Sequence, residues 1–290
     1  MPLFVLLYSR HSFVVTNLSK INKMTHKILV IPDVHGRTFW KEPVRKYIES
    51  VDKVVFLGDY LDPYLDDEGI ADSIFDNLME IAELKRKNIE KVILLKGNHD
   101  QHYSSTVFRE HAGGSRMDKL KWDKYHKFFN ENKQLFQLAY LEEIKGIPYV
   151  FTHAGLTVYW LNKVNSNLWH LSDNKVSIAD PDIIGRINQL DDDEQGQTLL
   201  SVIGRYRSWR GEKTGGVLWA DIEEHSIPDA LKIYGMNQVF QVFGHTRLED
   251  QYDRIEYDNI VMIDSQRCFM IDDSIKEKIV TIRDYETIIK

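Results

Sequence analysis

Cysteine is nearly absent from this sequence: the 290-residue chain holds one, Cys268. A single thiol excludes an internal disulfide framework and a cysteine-built zinc finger. It points to a reducing compartment, the cytoplasm. Long apolar runs are missing too, and no stretch reaches the roughly 18–20 residues of a membrane span. The opening MPLFVLLY is apolar but short, with no basic residue ahead of it and no small-residue cleavage site behind it, which makes a poor signal peptide. Positive charge is in deficit. Lys and Arg number 37 against 44 Asp and Glu, a net charge of -7. That balance argues against nucleic acid as a general partner, because such binders release counterions from a basic face. It leaves room for an enzyme with a small, locally positive pocket. No Pro- or Gly-rich linker, internal repeat or low-complexity segment divides the chain.

What is present is an ordinary globular composition, 43% hydrophobic and 28% charged, with eleven histidines. Residues 1–23 have no clear period, and Met24 opens a regular segment, so we expect an N-terminal extension over 1–23 and one domain over 24–290. Three short apolar runs recur early: Lys27–Ile31, Lys53–Leu57 and Lys91–Leu95. Runs of four or five apolar residues bounded by Gly or Pro read as buried strands. A helix is expected between the second and third, with Asp72 as N-cap and Ile74, Leu78, Ile81 and Leu84 at helical spacing. Strand and helix in alternation predict a parallel sheet, in which ligand residues gather at the carboxyl ends of strands. Tyr149–Thr152, Val239–Phe243, Ile260–Ile263 and Val280–Ile282 read as further strands. An aromatic-rich helix is expected between about Leu120 and Gln137. A helical or irregular insertion over the active face is expected at about 158–216, with Trp209 in the core and the acidic run Asp191–Glu194 as a solvated loop.

Five of these strand ends deliver Asp33, His35, Asp59, Asn98, His153 and His245. All are oxygen and nitrogen donors, a set that suits Mn, Fe or Zn better than Ca or Mg. Six residues can hold two divalent ions if one carboxylate bridges, and Asp59 on the middle strand of the early three is the natural bridge. Two ions about 3.5–4 Å apart clamp a phosphoryl group for in-line attack. Each piece alone is a common turn or an ordinary histidine. Five clusters in order, each after an apolar run, are not.

In that order the sequence resembles the calcineurin-like metallophosphoesterases, whose pattern is D-x-H, G-D, G-N-H-[D/E], H and G-H. Here it reads Asp33-Val34-His35, Gly58-Asp59, Gly97-Asn98-His99-Asp100, His153 and Gly244-His245. The resemblance spans nearly all of residues 27–283. It implies an α/β fold of two packed mixed β-sheets flanked by helices. It also implies that Asp33 and His35 hold a first metal, that Asp59 bridges, and that Asn98, His153 and His245 hold a second. Many phosphodiesterases of the family end in G-H-x-H, whereas Gly244-His245-Thr246-Arg247 lacks the last histidine. Gly58–Asp62, Phe151–Leu156, Leu218–Asp221 and Val261–Asp264 are similar to segments of the phosphoprotein phosphatase and diadenosine tetraphosphatase branch. The sequence departs from that branch at Pro63, where those enzymes carry a phosphate-binding Arg, and at Asp100, where they usually have Glu.

The reaction expected is hydrolysis of a phosphomonoester, on a protein or a small molecule or nucleotide, by a metal-bridging hydroxide. The alternatives are a dinucleoside polyphosphate hydrolase, then a phosphodiesterase, then a non-catalytic metal-binding scaffold. His99, next to Asn98, is placed to protonate the leaving oxygen, with Asp62 orienting its ring. Arg37, Arg205, Arg207 and Arg210 are the candidates to replace the arginine missing at Pro63, since a guanidinium forks onto phosphate oxygens.

Overall fold

The computed structural model describes residues 25–111, 116–168, 182–225, 239–249 and 251–290. The expected extension over 1–23 therefore lies outside the described residues, as does part of the expected insertion. The elements run β1 (Lys27–Ile31), α1 (Lys41–Tyr47), β2 (Lys53–Phe56), α2 (Ile74–Lys87), β3 (Val92–Leu95), α3 (Asn98–Ser104) and α4 (Thr106–His111). They continue with α5 (Trp122–Glu131), β4 (Phe136–Gln137), β5 (Ala139–Ile144), β6 (Ile147–Thr152), α6 (Val158–Leu168), α7 (Asp182–Gln189), α8 (Glu194–Leu200) and α9 (Ile222–His225). The chain closes with β7 (Phe240–Phe243), β8 (Ile255–Tyr257), β9 (Ile260–Met262), β10 (Phe269–Asp272), β11 (Val280–Thr281) and α10 (Ile282–Ile288).

The strands form two sheets, of six in the order β11-β10-β1-β2-β3-β4 and of five in the order β5-β6-β7-β9-β8. Both are mixed. β1, β2 and β3 run parallel while β10 is antiparallel to β1. β6, β7 and β9 run parallel while β5 and β8 are antiparallel edges.

Alternation along the strands dictates the layers, because successive side chains face opposite sides of a sheet. Ile28, Val30, Val55, Leu57, Ile93 and Leu95 face the second sheet and meet Phe151, Phe240, Val242, Val261 and Ile263 in one core. Their neighbours Leu29, Ile31, Val54, Phe56, Val92 and Leu94 face the other way and pack under Val44, Leu78, Ile81 and Phe128 of the helices. On the far side of the second sheet, Ala139 and Val150 pack with Trp160, Leu161, Ile187 and Leu200. The result is a helix–sheet–sheet–helix sandwich. A strand covered on both faces reads as a continuous apolar run, which is why β1, β2 and β3 stood out in the sequence.

One local expectation needs correction and two are sharpened. The cap of α2 is Ser73, whose hydroxyl accepts from the Asp76 amide at 3.2 Å; Asp72 lies one residue too early. The aromatic-rich helix is the ten residues of α5, with single 3-10 turns on either side. The acidic run is solvated at 192–194, as expected, but it is anchored. Asp191 pairs with the buried Lys96 and accepts from Gln101 at 2.8 Å, and Asp193 caps α8. Lys96 immediately precedes the Gly97-Asn98-His99 turn, so the run anchors the base of that turn.

Candidate metal centre

The six candidate ligands leave the carboxyl ends of β1, β2, β3, β6 and β7, where the parallel strands of both sheets open at one rim. Backbone hydrogen bonds lock the first three turns together. His35 N donates to the Asp59 carbonyl at 2.6 Å and Gly36 N to that of Tyr60 at 2.9 Å. The Asp100 carboxylate accepts from the amides of Gly97 (2.8 Å), Asp59 (2.8 Å) and Tyr60 (2.9 Å). The shorter Asp reaches all three, which explains how the turn closes without a Glu there.

The sheets are stitched to one another by the candidate ligands themselves. His245 N donates to the Asp33 carboxylate at 3.0 Å, and His153 Nδ1 donates to the Leu57 carbonyl at 3.0 Å. Two glycines permit this closeness. A Cβ on Gly97 would stand 2.0 Å from Asp59 Oδ1, and one on Gly244 would stand 2.0 Å from Asp33 Oδ1. His35, Asp59, Asp62 and His245 all adopt positive φ (45°, 49°, 57° and 72°). Such conformations cost about 1–3 kcal/mol each and persist where surrounding contacts over-determine them.

The donor atoms converge as a cation would require. Asp33, His35 and Asp59 offer atoms within 4.8 Å of one another, and so do Asp59, His153 and His245; Asp59 belongs to both groups. The His153 ring has its Nδ1 proton on the Leu57 carbonyl, and burial lowers its pKa to about 3. Its Nε2 is therefore a bare lone pair. Yet that atom lies 2.9 Å from Asn98 Oδ1, 3.0 Å from His245 Nδ1 and 3.5 Å from Asp59 Oδ2. With the Asn98 amide turned oxygen-inward, lone pairs and carboxylate oxygens crowd together here, and the buried His245 Nε2 has no hydrogen-bond partner among the described residues. His35 repeats the pattern: Nδ1 donates to the Leu61 carbonyl at 2.7 Å and Nε2 is 3.5 Å from Asp59 Oδ2. Burial, reinforced by neighbouring carboxylates, raises the pKa values of Asp33 and Asp59 well above the usual range. Buried lone pairs and carboxylates without counter-charge are costly. Two divalent cations fit this donor set.

Beside the ligands, His99 Nδ1 lies 2.9 Å from Asp62 Oδ2, and Tyr103 Oη donates to Asp62 Oδ1 at 2.5 Å. Burial lowers the His99 pKa, with Asp62 opposing and Arg116 adding to the drop.

The candidate arginines separate. Arg207 pairs with Asp221 at 2.9 Å, donates to Thr246 beside His245, and its charge bears on His153 and His245. This accounts for the Leu218–Asp221 segment, whose Asp221 holds Arg207. Arg37 requires correction. It is buried, and its guanidinium is turned onto the carbonyls of Asp33 (2.8 Å) and Val34 (3.1 Å) and onto Asp67 (3.0 Å), so it braces the first turn rather than facing a phosphate. Arg205 and Arg210 lie exposed over the rings of Tyr206 and Trp209, and no contact joins them to the ligand cluster among the described residues. Trp209 is 85% exposed, not in the core, because its loop stands at the rim.

Sequence reasoning missed three neighbours of the site. Tyr64 packs edge-on to His35, Asp264 is a buried carboxylate with its pKa raised to about 6 chiefly by burial, and Arg116 sits over Tyr64. Asp264 carried a signal, since it ends an apolar strand. Arg116 follows no strand and sits in no motif.

A family model described as calcineurin-like phosphoesterase matches residues 26–248. No curated protein sequence matches. Among solved structures, the chain is similar to a protein serine/threonine phosphatase from Saccharomyces cerevisiae, at 18% identity and TM-score 0.46, covering 85% of this chain and 72% of that one. It is also similar to the E. coli phosphoesterase YfcE, at 13% identity and TM-score 0.37, covering 85% and 88%. An archaeal phosphodiesterase is similar at 13% identity and TM-score 0.32, covering 88% and 99%. Among the described residues, no helix is long and apolar enough to cross a membrane.

Proposed function

Because this chain belongs to the calcineurin-like phosphoesterase family, whose members are metal-dependent phosphoester hydrolases, we propose that it hydrolyses phosphomonoesters. Asp33, His35 and Asp59 would hold one divalent ion, and Asp59, Asn98, His153 and His245 the other. Mn suits the mixed imidazole and carboxylate donors, as do Fe and Zn. When bound, such a pair supplies Lewis acidity toward a phosphoryl oxygen and a water of lowered pKa.

The chain's own residues do the rest. Arg207, braced by Asp221 and Thr246, takes non-bridging oxygens of the phosphate and neutralises their charge. As the imidazolium, with its Nδ1 proton on Asp62, His99 gives its Nε2 proton to the leaving oxygen as the P–O bond breaks and is left neutral. Asp62 keeps the ring in that orientation, and the Tyr103 hydroxyl holds Asp62 in turn. The observation that carries the monoester reading is the cationic rim. Arg207 stands beside His245, and Arg247 occupies the place where a further histidine ligand would be. Arg247 lies over Tyr64 and pairs with Asp66. A terminal phosphate has a further negative oxygen over a diester, and this rim rewards it.

A second reading, a dinucleoside polyphosphate hydrolase, is favoured by Trp209. Its exposed ring lies two residues from Arg207 and could stack on a base. Turnover of Mn-loaded protein on an aryl phosphate, an aryl diester, a phosphopeptide and a dinucleoside tetraphosphate tests both readings. Monoester turnover exceeding diester turnover is expected. The reverse order would overturn the monoester reading, and no turnover on any substrate with metals bound would leave a scaffold.

A further inference from the structure

Arg37, Arg116, Arg207 and Arg247 surround the ligand cluster, and three of them are already paired with carboxylates. Arg37 binds Asp67, Arg207 binds Asp221, and Arg247 binds Asp66. Arg116 makes no ion pair among the described residues. Its Nε donates to the Asp62 carbonyl at 3.1 Å, and its guanidinium carbon stands 3.4 Å from the centroid of the Tyr64 ring. Its Nη2 is buried and has no hydrogen-bond partner. A planar cation held by the Tyr64 side chain, through its ring face and a hydrogen bond, and by one carbonyl, with a buried nitrogen left over, is costly without an anion.

The position matters as much as the vacancy of that nitrogen. The carbonyl that Arg116 grips is bonded to Pro63, the residue that brings no charge to the turn carrying Asp62. Tyr64, under the guanidinium, is edge-on to His35 at 5.5 Å, and His35 is edge-on to His99 at 5.2 Å. A distant segment thus carries a cation to the site's edge, next to the proposed acid and the first ligand group. Tyr64 and the Asp62 carbonyl keep it extended, which reduces the entropy lost when it binds a ligand.

We propose that Arg116 is a substrate-binding residue whose free Nη2 takes a non-bridging oxygen of a terminal phosphate, and that it sets a preference for monoesters over diesters. The assignment rests on the phosphoesterase reading of the adjacent metal site. No covalent step is involved: the contact is a charge-assisted hydrogen bond, stronger for an oxygen with more charge.

The test uses full-length Mn-loaded protein and the variants Arg116→Met, Arg116→Gln and Arg116→Lys. Inorganic phosphate is the equilibrium probe, read by calorimetry, and an aryl phosphate and an aryl diester are the kinetic probes. Arg116→Met and Arg116→Gln should weaken phosphate binding and raise the monoester KM by about 10- to 100-fold. The diester KM should move by less than about threefold, bound Mn should be unchanged, and Arg116→Lys should recover part of the loss. Should the two neutral variants fail to fold, the lysine variant alone still decides, since loss of the fork predicts intermediate phosphate affinity. Phosphate affinity within twofold of wild type in every folded variant overturns the proposal. Equal losses on monoester and diester overturn the selectivity. Phosphate binding that weakens in the variants while wild type turns over no ester keeps Arg116 as an anion site and removes the hydrolase reading instead.

Discussion

The two sheets serve the site unequally. The first supplies Asp33, His35, Asp59 and Asn98 from three adjacent parallel strands, with turns welded by backbone hydrogen bonds and the Asp100 carboxylate. The second supplies single histidines, His153 and His245, each following one strand. The carboxylates come from one side and the second pair of imidazoles from the other, and Asp59 lies in both candidate groups. A site built this way depends on the sandwich staying closed. It depends most on the one residue that both halves share.

Asp59→Asn should therefore be the most damaging substitution. We expect activity to fall by more than about 10³-fold, beyond the usual loss of one stabilising donor, with bound metal reduced at both sites by elemental analysis. His245→Ala should empty one site and spare the other. If Asp59→Asn retains two ions, the shared role is wrong and the two halves are independent.

His99→Ala probes a residue beside the candidate ligands, edge-on to His35 and bonded to Asp62. Activity should fall by roughly 10²- to 10⁴-fold with metal content unchanged. A loss under about tenfold would remove His99 from acid catalysis. Asp62→Asn should follow it at about 10- to 100-fold, as expected for a group that orients another.

The seam between the sheets can be pried open with single methyl groups. Gly244→Ala sets a Cβ against Asp33 from the second sheet, whereas Gly97→Ala presses on Asp59 from within the first. Each should lower metal affinity by about 10- to 100-fold, read by titration of the metal-free protein. The ratio between the two reports which side yields more easily.

The smallest effect expected is one of pH on stability. Burial raises the pKa of Asp264 to about 6 and of Asp100 to about 7, and pushes Asp33 and Asp59 up as well. The folded metal-free protein thus holds protons that the unfolded chain releases at ordinary carboxylate pKa values. Its stability is fully present below about pH 4 and declines as pH rises through these folded-state values. Bound divalent cations supply the missing counter-charge. The Tm gap between Mn-loaded and chelator-treated protein should widen by several degrees from about pH 5 to pH 8. A gap that narrows would show that the carboxylates are not what the cations compensate.

The unequal sheets also explain what could be read from the sequence. β1, β2 and β3 are apolar on both faces, so they announced themselves as runs, and their polar ends marked the candidate ligands. β5 was missed because it is an edge strand, exposed or half-exposed along most of its length. The arginines were harder. Arg37 looked free because it follows a candidate ligand motif, yet it is buried and turned onto Asp67 and two backbone carbonyls. Arg116 went unnoticed because it follows no strand and sits in no motif, and its partner Asp62 is 54 residues away along the chain. Trp209 was misplaced in the core because a tryptophan's exposure is not written in its neighbours along the chain.

The sequence by itself determined the candidate ligand types, their order along the chain and their position after apolar strands, because strand periodicity and turn chemistry are local. Its single cysteine also excluded a cysteine-built metal site, and the candidate ligands it offered are all oxygen and nitrogen donors. Only the tertiary structure decided which lone pairs meet and which arginines remain free to meet an anion. Those outcomes depend on how two sheets close over a common rim, where 2–3 Å of separation decides whether an acceptor finds a proton, a carboxylate or a cation.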